Sequence, residues 1–131
     1  MSIEAGIRAV LIADTAVKAI VAARVYTGYL PQSVTYPCIL ITPITEDDNV
    51  TLNSLPALKW HRLQIDVFAG TYAVMQDLHD KVSAALSLKT ATPTGYAIKS
   101  ITPQTGGFYR YEPEIEIHRR SRDYGIWWQK T

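Results

Sequence analysis

Apolar residues recur along this chain with two different periods. Near the start, Ile3, Ile7, Val10 and Leu11 follow the spacing of one buried helical face, and Ser2 stands where a cap belongs. Asp14 marks a second cap, opening a short helix through Val17, Ile20 and Val21. Arg24-Val25-Tyr26 reads as a brief extended piece, and Gly28 and Pro31 mark the turn after it. From Pro37 to Ile44 the pattern predicts a strand with Ile39 and Ile41 on one face and Cys38, Leu40 and Ile44 on the other. Apolar residues on both faces imply a central or doubly covered strand. Pro37 fits only at its start, and Pro43 points to a bulge or an unpaired side.

The polar stretch Glu46 to Ala57 holds the consecutive acids Glu46, Asp47 and Asp48 and reads as an exposed loop or hairpin arm. Leu58 to Ala69 carries the strongest strand signal: Leu63, Ile65, Val67 and Ala69 alternate with Arg62, Gln64 and Asp66. Thr71 then caps a helix from Tyr72 to about Leu88, with Met75, Leu78, Val82 and Ala85 as its buried seam. Asp77 and Lys81 sit four apart on its wet side. Thr92-Pro93-Thr94-Gly95 breaks the chain before a strand around Tyr96 to Ile101. A turn with Pro103 and Gly106-Gly107 follows, and a long extended segment runs from about Ile115 to Trp128. The order helix, strands, helix, strands predicts an α+β fold, a mostly antiparallel β-sheet with two main helices packed on one face. No linker, repeat or low-complexity tract interrupts it, so residues 1–131 are expected to form one domain.

Composition narrows the partners. An apolar fraction of 47% with 19% charged residues suits a packed core. The lone thiol, Cys38, excludes a disulfide framework and a multi-cysteine zinc site. Lys plus Arg is 13 against 12 for Asp plus Glu, so no net field draws the chain to DNA or anionic lipid. The longest uncharged run, Val25 to Thr45, contains Gly28, Pro31, Pro37 and Pro43, which would leave backbone groups unsatisfied in lipid. Glu4 stands where a secretory signal carries positive charge. The expectation is a chain made in a cytoplasm, with no membrane partner.

Candidate chemistry is sparse. His61, His79 and His118 lie on three different predicted elements, and none has a second ligand at helical spacing. Cys38 stands mid-strand among Ile and Leu, as a small core hydrophobe does. The glycines form no phosphate-cradling motif, and there is no nucleophile elbow. No cofactor, metal or catalytic residue is therefore expected. Glu112, Glu114 and Glu116 would share one face of a strand and could hold a cation or act as acid and base, although Pro113 and the preceding turn favour a solvated rim. Arg119, Arg120 and Arg122 lie close to Tyr124, Trp127 and Trp128, a combination that can groove a single nucleic-acid strand. Strand alternation divides those arginines between two faces, and the adjoining glutamates cancel their charge.

Adjacent Glu-rich and Arg-rich stretches suit a head-to-tail contact, in which the acidic part of one subunit meets the basic part of the next. They equally suit an edge strand kept soluble by charge. The residues alone leave both readings open.

A collinear set of short pieces changes the balance. Ile3–Leu11 is followed by Ala13-Asp14-Thr15-Ala16-Val17, Arg24-Val25-Tyr26 and Leu30-Pro31-Gln32. Leu63-Gln64-Ile65-Asp66-Val67-Phe68-Ala69 leads to Thr71-Tyr72, and Tyr111-Glu112-Pro113-Glu114 precedes Arg119-Arg120-Ser121-Arg122-Asp123-Tyr124 and Trp128. In this order the chain resembles bacteriophage tail-completion proteins of the tail-to-head joining and tail-terminator type. It departs from them at Glu114-Ile115-Glu116-Ile117-His118, where relatives often have a turn-like, Gly-containing stretch. The resemblance implies structural work without catalysis in a virion tail or prophage. It implies a homo-oligomeric ring, often of six, at the tube end that meets the head, contacting tail-tube and head connector proteins, with DNA passing through the lumen only as cargo. From charge placement, Glu112, Glu114, Glu116, Arg119, Arg120 and Arg122 are expected as subunit-contact or lumen residues, and Glu46, Asp47 and Asp48 as a surface that meets a neighbour. The alternatives are an interaction module unrelated to virions and a small enzyme using Glu112, Glu114 and His118.

Overall fold

A computed structural model of the protein describes residues 2–48, 59–93, 95–104 and 107–130. Three helices, α1 (Ile3–Ala13), α2 (Thr15–Val21) and α3 (Tyr72–Leu86), alternate with six strands. The strands are β1 (Val25–Thr27), β2 (Cys38–Asp48), β3 (Lys59–Ala69), β4 (Tyr96–Pro103), β5 (Phe108–Glu112) and β6 (Ile117–Lys130). The α+β order expected from the pattern is present, with the short α2 as a third helix.

Local chemistry sets the helix boundaries. Asp14 caps α2 by accepting a 3.0 Å hydrogen bond from Val17 N. Thr71 caps α3 through its hydroxyl, which accepts from Val74 N at 3.3 Å. Ser2 stands at the N-cap of α1, but its side chain makes no capping bond; its carbonyl accepts from Ala5 N instead. The last helix ends at Leu86, two residues before the expected Leu88. Leu88 has a left-handed φ of 58°, and its N–H turns to the Ile101 carbonyl of β4.

The sheet runs β1-β2-β3-β6-β4, and β5 also pairs with β6. Among the described residues only β1 and β2 pair in parallel. β2 carries its irregularity between Pro43 and Thr45, where a proline cannot donate to the ladder. Ile3, Ile7, Leu11, Val17, Val21, Met75, Leu78 and Val82 from the helices pack with Ile39, Ile41, Leu63, Ile65, Val67, Tyr124 and Ile126 in one buried cluster. A smaller cluster of Cys38, Phe68 and Ile117 forms on the other face, beneath Tyr26, Leu30, Val34, Tyr36 and Leu40. Both faces of β2 are thus covered near its start, as its two-sided apolar pattern requires.

Two expectations are revised. Of the loop and hairpin-arm readings, Glu46, Asp47 and Asp48 take the second: they extend β2 opposite His61, Trp60 and Lys59 of β3. The remainder of that polar stretch, 49–57, lies outside the described residues. The second correction is β5, which sequence periodicity did not reveal. Pairing first β4 and then β5 along one edge of β6 makes them a single line interrupted at 104–107. Gln104 N bonds to Asp123 O there, and Gly107 passes so close to β6 that a Cβ would come within 2.6 Å of the Ser121 carbonyl oxygen.

Candidate functional site

The long strand β6 pairs with β3 on one side and with β4 and β5 on the other, so it places the whole basic stretch in the middle of the sheet. Alternation assigns His118, Arg120, Arg122 and Tyr124 to the helix side and Ile117, Arg119, Ser121 and Asp123 to the other. The arginines are therefore divided between faces.

On the face away from the helices, Arg119 turns inward. Its Nη2 donates at 2.9 Å to Asp66, which is completely buried on β3. Ser121 donates its hydroxyl to the same carboxylate, and Gln64 Nε2 donates to both oxygens at 3.1 Å. The guanidinium also lies over Phe68 and Phe108, 5.5 and 5.6 Å from the ring centroids. Three groups thus neutralise and saturate one buried charge through four hydrogen bonds, as a buried carboxylate demands. Beside this network Arg62 pairs with Asp123 at 2.7 Å. At the sheet edge Arg110 pairs with Glu112 at 3.1 Å.

The helix side is different. Arg120 and Arg122 are partly exposed and have no acidic partner within ion-pair distance among the described residues. Their charge reaches His79 of α3, whose imidazole is held below its ordinary pKa by burial first and by Arg120 next, with Arg122 adding to this and Asp80 opposing. Outward from them lies an aromatic group. The Tyr109 hydroxyl is 2.8 Å from His118 Nδ1, Tyr111 packs on the same imidazole at 4.7 Å, and Tyr72 meets Tyr109 edge-on at 5.4 Å. Phe108, Tyr109, Tyr111 and Tyr72 are each between 41% and 50% exposed. β5 thus presents three large aromatic residues on a strand whose only partner among the described residues is β6.

Among the expected site residues, Glu112 ends β5, whereas Glu114 and Glu116 stand in the 113–116 turn, exposed to solvent. The three glutamates do not line one strand face, because the chain reverses between them. Glu116 has a left-handed φ of 54°, so the stretch is turn-like without the glycine that favours this conformation. Glu112 pairs with Ile117 and His118 with Tyr111, which puts Glu112 and His118 on opposite faces. No carboxylate–imidazole site forms from them. The three histidines are equally dispersed: His61 accepts a 2.6 Å bond from Trp128 Nε1 at the far end of β6, and His79 is buried on α3. Among the described residues, no three His, Cys, Asp or Glu side chains come together to hold a metal, and no helix is long and apolar enough to cross a membrane. Sequence reasoning missed Asp66 as the partner of Arg119, and it missed the β5 aromatics. The run Phe108-Tyr109-Arg110-Tyr111 was the available signal for the latter.

The fold is similar to a chain of a native gene transfer agent (GTA) particle virion, with a TM-score of 0.72 at 17% identity over 99% of this chain and 96% of that one. No curated protein matches the sequence significantly. Residues 5–129 match the model of the family described as tail completion protein gp17, and the chain belongs to that family. It is a structural protein of the phage tail, and the work of its family is assembly rather than catalysis.

Proposed function

We propose that the protein forms a homo-oligomeric ring at the head-proximal end of the tail, ends growth of the tube there and joins it to the head connector. Assembly takes place in the host cytoplasm, and DNA passes through the lumen without being read or modified. Family membership over nearly the whole chain supports the location. The observation that carries the assembly reading is β5, an edge strand with Phe108, Tyr109 and Tyr111 left half-exposed beside Tyr72. Soluble proteins blunt such edges unless something covers them, and aromatic residues with arginine are the groups that dominate protein contacts. Arg120, Arg122, Glu112, Glu114 and Glu116 are the candidate contact residues around it, and the Glu46-Asp47-Asp48 end of β2 is the candidate at the opposite margin of the sheet. Arg119 contributes from beneath, by fixing the face on which Phe108 lies.

Electron microscopy of particles made without this protein tests the reading. Tails of uncontrolled length, or finished tails unable to join heads, are the expected result. Normal particles would refute it.

A further inference from the structure

The outer edge of β5 has no strand beside it among the described residues. A second copy in the same orientation has none to offer. Through β6, β3 and β2, β5 stands level with β1 at the other margin of the sheet. Arg24 and Gly28 bond inward to β2, so alternation turns the backbone of Val25 outward. Both of its groups are taken within the chain: the N–H donates to Ala23 O at 2.8 Å, and the carbonyl accepts from Arg8 Nε at 2.8 Å. Arg8 Nη2 donates to Ala23 O at 3.2 Å as well, so an arginine blunts this edge. The uncovered stretch of β2, beyond Ile41, lies level with β4 instead, and β4 is shielded by Leu88 and Ala91. Copies placed side by side therefore leave β5 unpaired.

Charge argues against a two-fold copy too. Pairing β5 with itself would bring two sets of Arg120 and Arg122 to one boundary, and neither arginine has an acidic partner among the described residues. The acids of α3 are engaged elsewhere: Asp80 accepts from Gln76 Nε2 at 3.0 Å, and Asp77 pairs with Lys81 at 3.7 Å. The edge thus offers cations and aromatic surface. Tyr109 and Tyr111 share the helix side with Arg120 and His118, their cross-strand neighbours, while Phe108 and Arg110 lie on the other side. Gly107 puts no side chain of its own between Arg122 and the margin; a Cβ there would stand 3.7 Å from Arg122 Cα. A strand added outside β5 would lie two strand spacings from β6, about 10 Å. An arginine and a glutamate reaching towards each other span that gap.

We propose, on the reading of β5 as an assembly surface, that its occupant is an extended acidic segment of a different protein, bound by strand addition. Main-chain hydrogen bonds to β5 supply the affinity, and side chains at alternate positions supply the choice of partner. Acidic residues on the helix side of the added strand meet Arg122 over Gly107 and Arg120 beside Tyr109. The intervening residues pack along Phe108 on the other face.

Fluorescence anisotropy on the full chain tests it, with an end-capped, labelled peptide of alternating glutamate and valine as the probe. The wild-type chain should bind it, and the same peptide with glutamine in place of glutamate should bind at least about tenfold more weakly. Methylating alternate backbone nitrogens of the peptide leaves its charge unchanged. In one of the two possible patterns this should weaken binding at least about tenfold, because it removes the N–H groups that face β5. Arg120→Glu with Arg122→Glu should lose the glutamate peptide, keep the wild-type melting temperature and bind a lysine–valine peptide instead, which excludes misfolding as the cause. A glutamate peptide that fails to bind at about 1 mM, or binds no better than its glutamine form, would overturn the proposal. Indifference to both methylation patterns would overturn it as well, and tighter binding of mixed-sequence duplex DNA would assign the arginines to phosphate. Self-association of the wild-type chain that the peptide displaces would place a second copy on β5 and overturn it too. None of these failures touches the ring reading, which particles made without the protein decide.

Discussion

Removing the Asp66 carboxylate should unfold this protein more readily than removing any exposed charge. Asp66 is fully buried and accepts hydrogen bonds from Arg119, Ser121 and Gln64. Asp66→Ala would leave the Arg119 guanidinium against Phe68 and Phe108 with its Nε already buried and without a protein partner. Breaking a buried ion pair costs about 3–5 kcal/mol. The Arg119 side chain keeps 27% of its surface in water, so water recovers part of that loss and about 2–4 kcal/mol is the expected cost. With a urea slope of about 2 kcal/mol/M, the midpoint should fall by about 1–2 M with the slope unchanged. Asp66→Asn keeps the shape and an acceptor for Ser121, so it should lose about half as much.

The assay is urea unfolding followed by circular dichroism, run as a double-mutant cycle with Arg119→Ala. Each single change strands a charged partner and the double change strands none, so the cycle should show at least about 2 kcal/mol of coupling. Arg120→Ala, one residue along on the opposite face, should cost less than about 1 kcal/mol. An Asp66→Ala cost under about 1 kcal/mol, or additive single changes, would refute the view that Arg119 is a structural arginine.

Gly107→Ala should destabilise the fold by about 1–3 kcal/mol in thermal melts, because the new Cβ would meet the Ser121 backbone oxygen at 2.6 Å, and a neutral result would mean that the close approach at Gly107 yields freely. Cys38 should be inert to a disulfide reagent at pH 8 in the native protein, since burial pushes its thiol up to about 12 against a smaller opposing effect of Arg24. Labelling should be at least about a hundredfold faster in denaturant, and prompt labelling of the folded protein would contradict the buried placement. His79 makes stability pH-dependent with a definite sign. Its folded pKa lies below the unfolded value of 6.5, so the unfolded chain binds the proton more readily. Stability should be full above pH 6.5 and fall as the pH drops from there towards the folded pKa. His79→Leu should flatten that part of the urea-midpoint profile, and an unchanged slope would assign it to other groups.

The parts of the fold legible beforehand are those where one local rule decides. Leu63, Ile65, Val67 and Ala69 alternate because β3 has one face in the main core, and the pattern survives for as long as that face does. Asp14 and Thr71 announced helices because their side-chain oxygens can satisfy a free N–H within three residues. Pro43 announced an irregularity because it lacks a donor. β5 carried no such mark: Phe108, Tyr109 and Tyr111 fall on both faces, and none is buried. Its strand character comes from pairing with β6, a tertiary fact. The same holds for the site. Arg119 and Arg120 are neighbours with the same charge, and nothing local says which is consumed inside the protein. Asp66, which decides it, lies 53 residues away on β3.

That division changes what the near-neutral charge means. Of the arginines around β5 and β6, Arg119 is cancelled by Asp66 and Arg110 lies against Glu112, while Arg62 and Asp123 cancel across the centre of the sheet. Arg120 and Arg122 are left on the helix side near β5, and Glu46, Asp47 and Asp48 stand at the opposite margin on β2. The formal charge of +1 therefore includes a set of internal pairs and two groups of like charge set at opposite margins of the sheet. Had the patches adjoined, the surface would have been self-complementary and a closed dimer its natural product. Set apart across the sheet, they make no such surface, so a contact between copies repeats from one to the next in one direction, and such a contact must either close or continue. For the proposed role of ending a tube, the contact has to be one that closes.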